Sequence, residues 1–208
     1  MQIFDMDGTL IDSNGIWKDV DTAFLAKRGL PYTKEYYEGV AHTIFPLAAR
    51  FTKEFCHLPE SEEAIMAEWM DMVGGLYGLP VPGKPGVREY LEKLRSAGER
   101  MIVVTSAVPV HCRTALDHLG LTPYFERIIF AQELHREKKD PQLWRLAAEM
   151  MRVKPEDCTL YDDSVEACRG ARAAGMRTVG VFDPFFAGTE PEMRAVCDRY
   201  IRSFDELL

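Results

Sequence analysis

Asp5-Met6-Asp7-Gly8-Thr9-Leu10 follows a short, mostly apolar run at the start of the chain, Met1 to Phe4. Asp5 and Asp7 are two residues apart, so both side chains would point to the same face if the chain stays extended. Gly8 then permits a sharp turn that brings the backbone close to a ligand. Two carboxylates crowded at a strand end favour a metal site, or divided roles in nucleophilic and proton-transfer chemistry.

Length and composition indicate an ordinary globular protein. The chain has 208 residues, of which 47% are apolar and 28% are charged. This length fits one domain, or one domain with an insertion, and buries roughly 70% of the unfolded surface. The formal net charge of −8 argues against nucleic acid and anionic membranes as partners. Any anionic substrate would therefore need a local cluster of donors.

The cysteines and the N-terminus indicate a reducing compartment. The five cysteines are odd in number and form no C-x-x-C pair, so we expect buried, reduced thiols. The first residues show neither a basic region nor a long apolar run, and no stretch reaches the ~20 apolar residues of a membrane span. We expect a cytoplasmic protein.

Strand and helix patterns alternate through most of the chain. Short apolar runs predict buried strands at Gln2–Asp5, Met101–Thr105, Arg127–Phe130, Thr159–Tyr161 and Thr178–Val181. Helical patterns separate the later strands, at Val87–Ala97, Val110–Leu119, Pro141–Met151 and Val165–Ala174. Glycines typical of helix C-termini stand at Gly29, Gly98, Gly120 and Gly175. This alternation predicts an α/β fold with a doubly wound, Rossmann-like parallel sheet that is covered on both faces.

One region departs from the alternation. From about Gly15 to Gly83 the sequence shows no convincing strand. Its helical periodicity predicts amphipathic helices at Ile16–Arg28, Pro46–Phe55 and Glu60–Val73. A stiff Gly- and Pro-rich stretch, Gly78–Gly86, leads back to the core. We predict a core domain of residues 1–14 and 84–208 and a small helical cap domain of residues 15–83, inserted just beyond the first two acids.

Three later motifs lie at or near predicted strand ends. Met101–Ser106 is an apolar strand that ends in two hydroxyls, and Leu160–Ser164 is a strand that ends in paired acids. Lys138-Lys139-Asp140-Pro141 places a lysine just before a predicted helix. Ligands of open parallel sheets bind beyond the carboxyl ends of the strands. We therefore expect these motifs and the Asp5–Leu10 stretch to face one crevice.

With these motifs in this order, the chain resembles the haloacid dehalogenase superfamily. Within it, the chain is similar to phosphatases and β-phosphoglucomutase-like enzymes that carry a helical cap after the first motif. The resemblance covers essentially the whole chain, including the cap. It implies Mg²⁺-dependent hydrolysis of a small phosphorylated metabolite through an aspartyl-phosphate.

The catalytic roles follow from what a phosphate ester needs and agree with the resemblance. Asp5 would attack phosphorus, and Asp7 would protonate the leaving alcohol and then activate water. Thr105 would hydrogen-bond a phosphoryl oxygen. Lys138 would place a positive charge between the phosphate and Asp5.

The resemblance also implies ligands for Mg²⁺, a cation that prefers oxygen atoms. They would be the Asp5 carboxylate, the Asp7 backbone carbonyl and Asp163, with Asp162 binding directly or through water. Further candidate substrate-binding positions are Gly8, Thr9, Ser106 and His42.

Several alternatives stay open. Lys139 could replace Lys138 as the phosphate contact, although family members place the lysine three residues before the proline that matches Pro141. Thr105 could simply bond nearby backbone at the strand end. The Asp162–Asp163 pair could be a helix N-terminal acid cluster. A phosphate-sensing module on the same scaffold would have its motifs in another order and would lack a cap.

The cap bears on substrate choice. Residues 54–83 contain no Lys or Arg and six acids, so a second phosphate would have to bind elsewhere in the cap. Related phosphomutases usually carry an arginine near the position of His42, which weakens the alternative of a β-phosphoglucomutase-like enzyme acting on a hexose phosphate. Asp7 and the Asp162–Asp163 pair argue against dehalogenation, a reaction that uses no metal.

Overall fold

The computed structural model describes residues 1–41, 43–77 and 81–208. Within them, six strands form one sheet: β1 (Gln2–Phe4), β2 (Met101–Thr105), β3 (Arg127–Phe130), β4 (Thr159–Asp162), β5 (Arg177–Val181) and β6 (Arg199–Ile201). The helices of these residues are α1 (Asn14–Ala26), α2 (Lys34–Val40), α3 (Phe45–Phe55), α4 (Glu62–Tyr77), α5 (Val87–Ser96), α6 (Pro109–His118), α7 (Pro141–Met150), α8 (Val165–Ala174) and α9 (Glu190–Val196). None of these helices has the length and apolar character needed to cross a bilayer.

The sheet is parallel throughout, with the strand order β3-β2-β1-β4-β5-β6. Because β1 lies between β2 and β4, the chain winds outward from β1 in both directions. The point where the order reverses leaves a crevice beyond the carboxyl ends of β1 and β4. The predicted doubly wound α/β fold is therefore confirmed.

Strand residues alternate between two cores, one on each face of the sheet. Phe4 and Tyr161 stack at 4.5 Å in the core that contains residues of α5 and α6. Their neighbours Ile3 and Leu160 point to the other core, where Trp144 and the alanines of α7 and α8 pack. The period of two along each strand thus buries both faces of the sheet under helices.

Local sequence signals explain most element ends. The four predicted C-terminal glycines have positive φ, the left-handed conformation that such caps require. The Asp140 carboxylate accepts a hydrogen bond from the Gln142 N–H at the start of α7, and Pro141 occupies its first turn. Ser203 and Glu206 form a capping box at the start of a short C-terminal 3₁₀ turn.

Three short elements were not predicted: β6, α2 and α9. Strand β6 has three residues at the edge of the sheet and begins with an exposed arginine, so it lacks an apolar run. Helices α2 and α9 have seven residues each, too few for a clear helical period. Strand β1 also ends at Phe4, one residue before the predicted end.

Helices α1 to α4 form the four-helix segment, which lies in the chain between β1 and α5. Helix α4 packs against α1 and α3, and α2 packs against α3. The rings of Phe24 and Phe45 contact that of Trp69 at 5.5 and 5.4 Å. The Arg28 guanidinium is paired with Glu68 at 2.6 Å. The segment therefore has an aromatic core of its own.

Two contacts join the four-helix segment to loops at the carboxyl edge of the sheet. The Thr43 hydroxyl donates to Glu137 Oε1 at 2.9 Å. The Tyr37 ring packs against Phe185 and Phe186, with centroids 5.4 and 6.0 Å apart. These contacts place the segment over the crevice between β1 and β4.

Gly170 on α8 tests how tightly that helix packs against the loop before α7. A Cβ atom at this position would lie 2.3 Å from the Lys138 carbonyl oxygen. We expect Gly170→Ala to lower the free energy of unfolding by roughly 1–3 kcal/mol in urea titrations, because the backbone at Lys138 would have to move to make room for the added methyl group. The control is Gly74→Ala on α4, where nothing lies within 4 Å and helix propensity favours alanine. Equal stabilisation by both changes would contradict this packing.

Candidate active site

The loop after β1 turns sharply instead of continuing the strand. The Gly8 N–H donates to the Ile11 carbonyl and the Leu10 N–H to the Met6 carbonyl, while Gly8 has φ of +75°. The expected alternation along an extended strand is therefore replaced by a tight loop. Asp5 and Asp7 nevertheless both line the same cavity.

Three carboxylates meet beyond the ends of β1 and β4. Asp5, Asp162 and Asp163 are buried, and one oxygen from each lies within 4.8 Å of the others. We call these three residues the acid corner. The predicted convergence of the first and last motifs is present in the structure.

Lys138 enters the acid corner from the loop before α7. Its ammonium contacts the Asp5 carboxylate and lies 3.0 Å from Asp162 Oδ2. The Trp144 indole N–H donates to the Lys138 carbonyl at 2.7 Å and holds this loop against α7. Lys139 instead lies at the surface beside Glu137, 2.8 Å away. The geometry thus places Lys138, and not its neighbour, at the site.

Hydrogen bonds orient the other two acids of the corner. Asp163 accepts from the Thr9 hydroxyl at 3.2 Å and from the Asn14 side-chain amide at 2.9 Å. Asp162 accepts from the Ser164 backbone N–H at 2.8 Å in addition to Lys138. A Cβ on Gly8 would lie 2.1 Å from Asp163, so only glycine allows this close approach. Gly8 and Thr9 therefore support Asp163.

The hydroxyls of Thr105, which ends β2, and of Ser106 also line the cavity. The buried Thr105 hydroxyl accepts a hydrogen bond from the Ala107 N–H at 3.0 Å, which leaves its own proton for another acceptor. The Ser106 hydroxyl oxygen is buried without a hydrogen-bond partner among the described residues. Both side chains are placed where an anion in the cavity would need donors.

Asp7 lies on the cavity wall and is half-buried. Its carboxylate accepts a short hydrogen bond from the Ser13 hydroxyl. Ser13 is the N-cap residue of α1, but its side chain makes no cap hydrogen bond because it is turned toward Asp7. The start of α1 thus fixes the Asp7 side chain.

The acid corner holds more negative charge than Lys138 can balance. Burial raises the pKa of Asp5 to about 6 against the opposing effect of Lys138. Burial, together with the charges of Asp162 and Asp5, raises the pKa of Asp163 well above its usual range. Burial lowers the pKa of Lys138, but the two neighbouring carboxylates outweigh it and the net change is upward. The site therefore favours an additional cation.

The donor set fits a hard divalent cation. Its side chains offer carboxylate oxygens and no sulfur or imidazole, the chemistry that Mg²⁺ prefers. The raised pKa values of Asp5 and Asp163 have burial as their main cause, and a bound cation would favour the ionised forms of both. The residues present are thus compatible with the predicted Mg²⁺.

The cavity extends from the acid corner toward the four-helix segment and has a volume of about 170 Å³. Its walls include aromatic side chains of α1, α2 and α4 and of the Pro184–Thr189 turn. His42, predicted as a substrate contact, lies outside the described residues.

Sequence reasoning missed three supporting residues. Asn14 and Ser13 directly follow the first acidic loop, and polar residues at that position were the available signal. Trp144 supports Lys138 through the Lys138 backbone, and no local pattern marks it. Contacts of this kind depend on which helix packs under the loop.

Comparisons with known proteins agree with this geometry. A model of haloacid dehalogenase-like hydrolases matches residues 3–175. A phosphorylated carbohydrates phosphatase of Thermotoga maritima is 25% identical over 177 residues, spanning 85% of this chain and 82% of that protein. The fructose-1-phosphate phosphatase of Escherichia coli K12 is 28% identical over 188 residues, spanning 86% and 94%.

A solved structure shows the same fold. The β-phosphoglucomutase of Clostridium difficile superimposes with a TM-score of 0.83 and covers 100% of this chain and 92% of its own. Because the two sequences are 19% identical, this likeness concerns the fold alone.

The raised pKa of Asp5 predicts a pH-dependent loss of stability in protein without metal. The folded state holds the Asp5 proton more tightly than the unfolded chain, so protonated Asp5 contributes to the free energy of unfolding below about pH 4. This contribution is lost as the pH rises to about 6. Relative to wild type, Asp5→Asn should therefore become more stable as the pH rises from about 4 to about 7. Urea titrations with a chelator measure this difference. The exposed Asp157→Asn serves as control; parallel curves for Asp5→Asn and wild type would exclude the effect.

Proposed function

Because the chain belongs to the haloacid dehalogenase-like hydrolase family, we propose that it is a Mg²⁺-dependent phosphatase that hydrolyses a small phosphorylated metabolite through an aspartyl-phosphate. The observation that carries the proposal is the meeting of Asp5, Lys138 and Asp163 at one end of a cavity that Thr105 and Asp7 also line. The named phosphatase activities of the relatives from T. maritima and E. coli agree with it.

Asp5 is the proposed nucleophile. A carboxylate oxygen attacks phosphorus, forming an oxygen–phosphorus bond as the bond to the alcohol oxygen breaks. Lys138 contacts Asp5, so its positive charge would reduce the repulsion between the carboxylate and the phosphate anion. The Thr105 and Ser106 hydroxyls, which line the same cavity, would donate to phosphoryl oxygens.

Asp7 is the proposed general acid and base. It would give its proton to the departing alcohol and then take one from the water that cleaves the aspartyl-phosphate. The Ser13 hydroxyl, which donates to Asp7, would hold the carboxyl in one orientation through both steps. Ser13 is therefore a positioning residue.

Mg²⁺, when bound, would supply positive charge that offsets the phosphate and the acid corner. Asp5, Asp163 and the Asp7 backbone carbonyl are the proposed ligands. Both oxygens of Asp162 already accept hydrogen bonds, from Lys138 and from the Ser164 N–H. Each carboxylate oxygen can accept more than one contact, so Asp162 would bind the ion directly or through water. Thr9, Asn14 and the absence of a side chain at Gly8 keep Asp163 in place.

Residues 15–83 are the proposed cap domain. The Thr43–Glu137 hydrogen bond and the packing of Tyr37 on Phe185 support a closed arrangement over the cavity. Such a cap would open to admit substrate and close to exclude bulk water. A phosphomutase acting on a hexose phosphate is the weaker candidate. The β-phosphoglucomutase structure is similar to this chain in fold alone, and His42 stands near the position where related phosphomutases usually carry an arginine.

Phosphate release tests the reaction. We expect Mg²⁺-dependent release of phosphate from p-nitrophenyl phosphate and from sugar monophosphates, and a loss of at least about a thousandfold in Asp5→Asn. Borohydride added during turnover should reduce the acyl phosphate and convert Asp5 to homoserine, detectable by mass spectrometry. Asp157→Asn should retain full activity because Asp157 lies at the surface. Turnover that persists in Asp5→Asn would disprove this nucleophile.

Thermal unfolding tests the cation site. Saturating Mg²⁺ should raise the Tm of the wild type by about 5 °C or more, since binding to the folded state alone adds about 3 kcal/mol at a hundredfold excess over Kd. Asp163→Asn should lose most of this shift. A sodium salt at matched ionic strength controls for screening. Equal Mg²⁺ shifts in the variant and the wild type would place the ion elsewhere.

A further inference from the structure

One face of α1 forms a continuous wall of the cavity. Asn14, Trp17, Lys18 and Asp21 all line it, at the i, i+3, i+4 and i+7 spacing of a single helix face. Asn14 lies at the acid corner, where it contacts Asp163. Two turns of helix separate Asn14 from Asp21, which is about 10 Å along the axis. Asp21 therefore marks the end of the cavity remote from the proposed phosphate position.

Asp21 is a partly buried acid on the cavity wall. Burial raises the pKa of its carboxyl to about 7, while the hydrogen bond from Tyr36 acts in the opposite direction. The Tyr36 hydroxyl lies 3.4 Å from Asp21 Oδ1 and also meets Thr52 at 3.0 Å. No Lys or Arg among the described residues neutralises Asp21. The carboxylate thus has capacity for a further hydrogen-bond donor.

Trp69 adds an unpaired donor to the same cavity. Its side chain is 3% exposed and lines the wall, and within the described part of the chain its indole N–H has no hydrogen-bond acceptor. An unpaired buried donor is costly, so an acceptor from a ligand would be favourable there. The cavity wall therefore includes an acceptor at Asp21 and an unpaired donor at Trp69.

Lys18 precedes Asp21 by three residues on this helix face and also lines the cavity. Its side chain is exposed, and its ammonium lies 5.8 Å from the centre of the Phe185 ring. A cation that remains in water attracts an anion weakly. The Asp21 carboxylate therefore sets the charge of the inner wall.

We propose that the end of the substrate remote from the phosphate is an uncharged, hydroxyl-bearing group that donates to Asp21 and accepts from Trp69, and that Asp21 excludes substrates with a second phosphate or a carboxylate there. The proposal rests on the proposed phosphatase function and names its substrate class, the monophosphates of sugars and polyols.

The residues of the cavity wall account for each feature of the proposed substrate class. Hydroxyl groups both donate and accept, so those of a polyol can donate to Asp21 and accept from Trp69, whereas an ammonium group cannot accept. The aromatic faces of Trp17 and Phe45 offer surface to the C–H groups of a sugar chain. A second anion would meet a carboxylate at low dielectric, which costs far more than the same contact in water.

A matched pair of open-chain phosphates tests the proposal. Glucitol 6-phosphate and 6-phosphogluconate differ only at C1, where one has a hydroxymethyl group and the other a carboxylate. At about pH 8, where Asp21 is ionised, we expect kcat/KM of the wild type to favour glucitol 6-phosphate by on the order of a hundredfold. Asp21→Asn should reduce this ratio to about tenfold or less, because the amide carries no charge.

Two further variants serve as a control on α1 and as a test of the Trp69 donor. Asp19→Asn on the same helix should leave the ratio unchanged, because Asp19 is exposed and does not line the cavity. Trp69→Phe keeps an aromatic ring but removes the donor, and it should lower kcat/KM for glucitol 6-phosphate about tenfold. Equal kcat/KM for Trp69→Phe and wild type would remove Trp69 from the proposal.

The outcomes separate this proposal from the proposed function. Absence of phosphate release from every substrate would overturn the phosphatase function itself. Phosphate release with a ratio that is the same in Asp21→Asn and wild type would overturn the role of Asp21 alone. A preference for 6-phosphogluconate that is lost in Lys18→Met would reverse the proposal and assign the remote end to Lys18.

Discussion

Three buried carboxylates around one buried ammonium constrain the rest of the structure near the site. Such an excess of negative charge is costly in a protein interior unless every group is held by partners. Asp162 and Asp5 share Lys138, and Asp163 is held by Thr9 and Asn14. The fold thus maintains a site that is poor for stability and well suited to a divalent cation and a phosphate.

The elements behind the acid corner supply its rigidity. Helix α7 holds the Lys138 backbone through Trp144, and α8 approaches that loop closely because Gly170 has no side chain. The β1 loop approaches Asp163 in the same way at Gly8. Charged groups are kept in contact by close packing of backbone, so small changes in volume far from solvent would be felt at the site.

The core and the four-helix segment line different parts of the cavity. In the proposed function the core presents the reacting groups, and the four-helix segment supplies the wall that includes Trp17, Asp21 and Trp69. Because α1 begins at Asn14 beside Asp163 and continues to Asp21, one helix connects the two ends of the cavity. Under the proposed function, changes on α1 beyond Asn14 would alter the remote end of the cavity while leaving the Asn14–Asp163 hydrogen bond in place.

The sequence by itself determined the strand and helix alternation, the helix caps, and the motifs that meet at one edge of the sheet. These follow from local rules: period two in strands, glycine at helix ends, and parallel strands that end together. Only the tertiary structure decided that the β1 loop turns after Phe4, that Lys138 and not Lys139 is buried, and that Asp21 faces the cavity. Each depends on contacts between residues far apart in the chain, which no local pattern encodes.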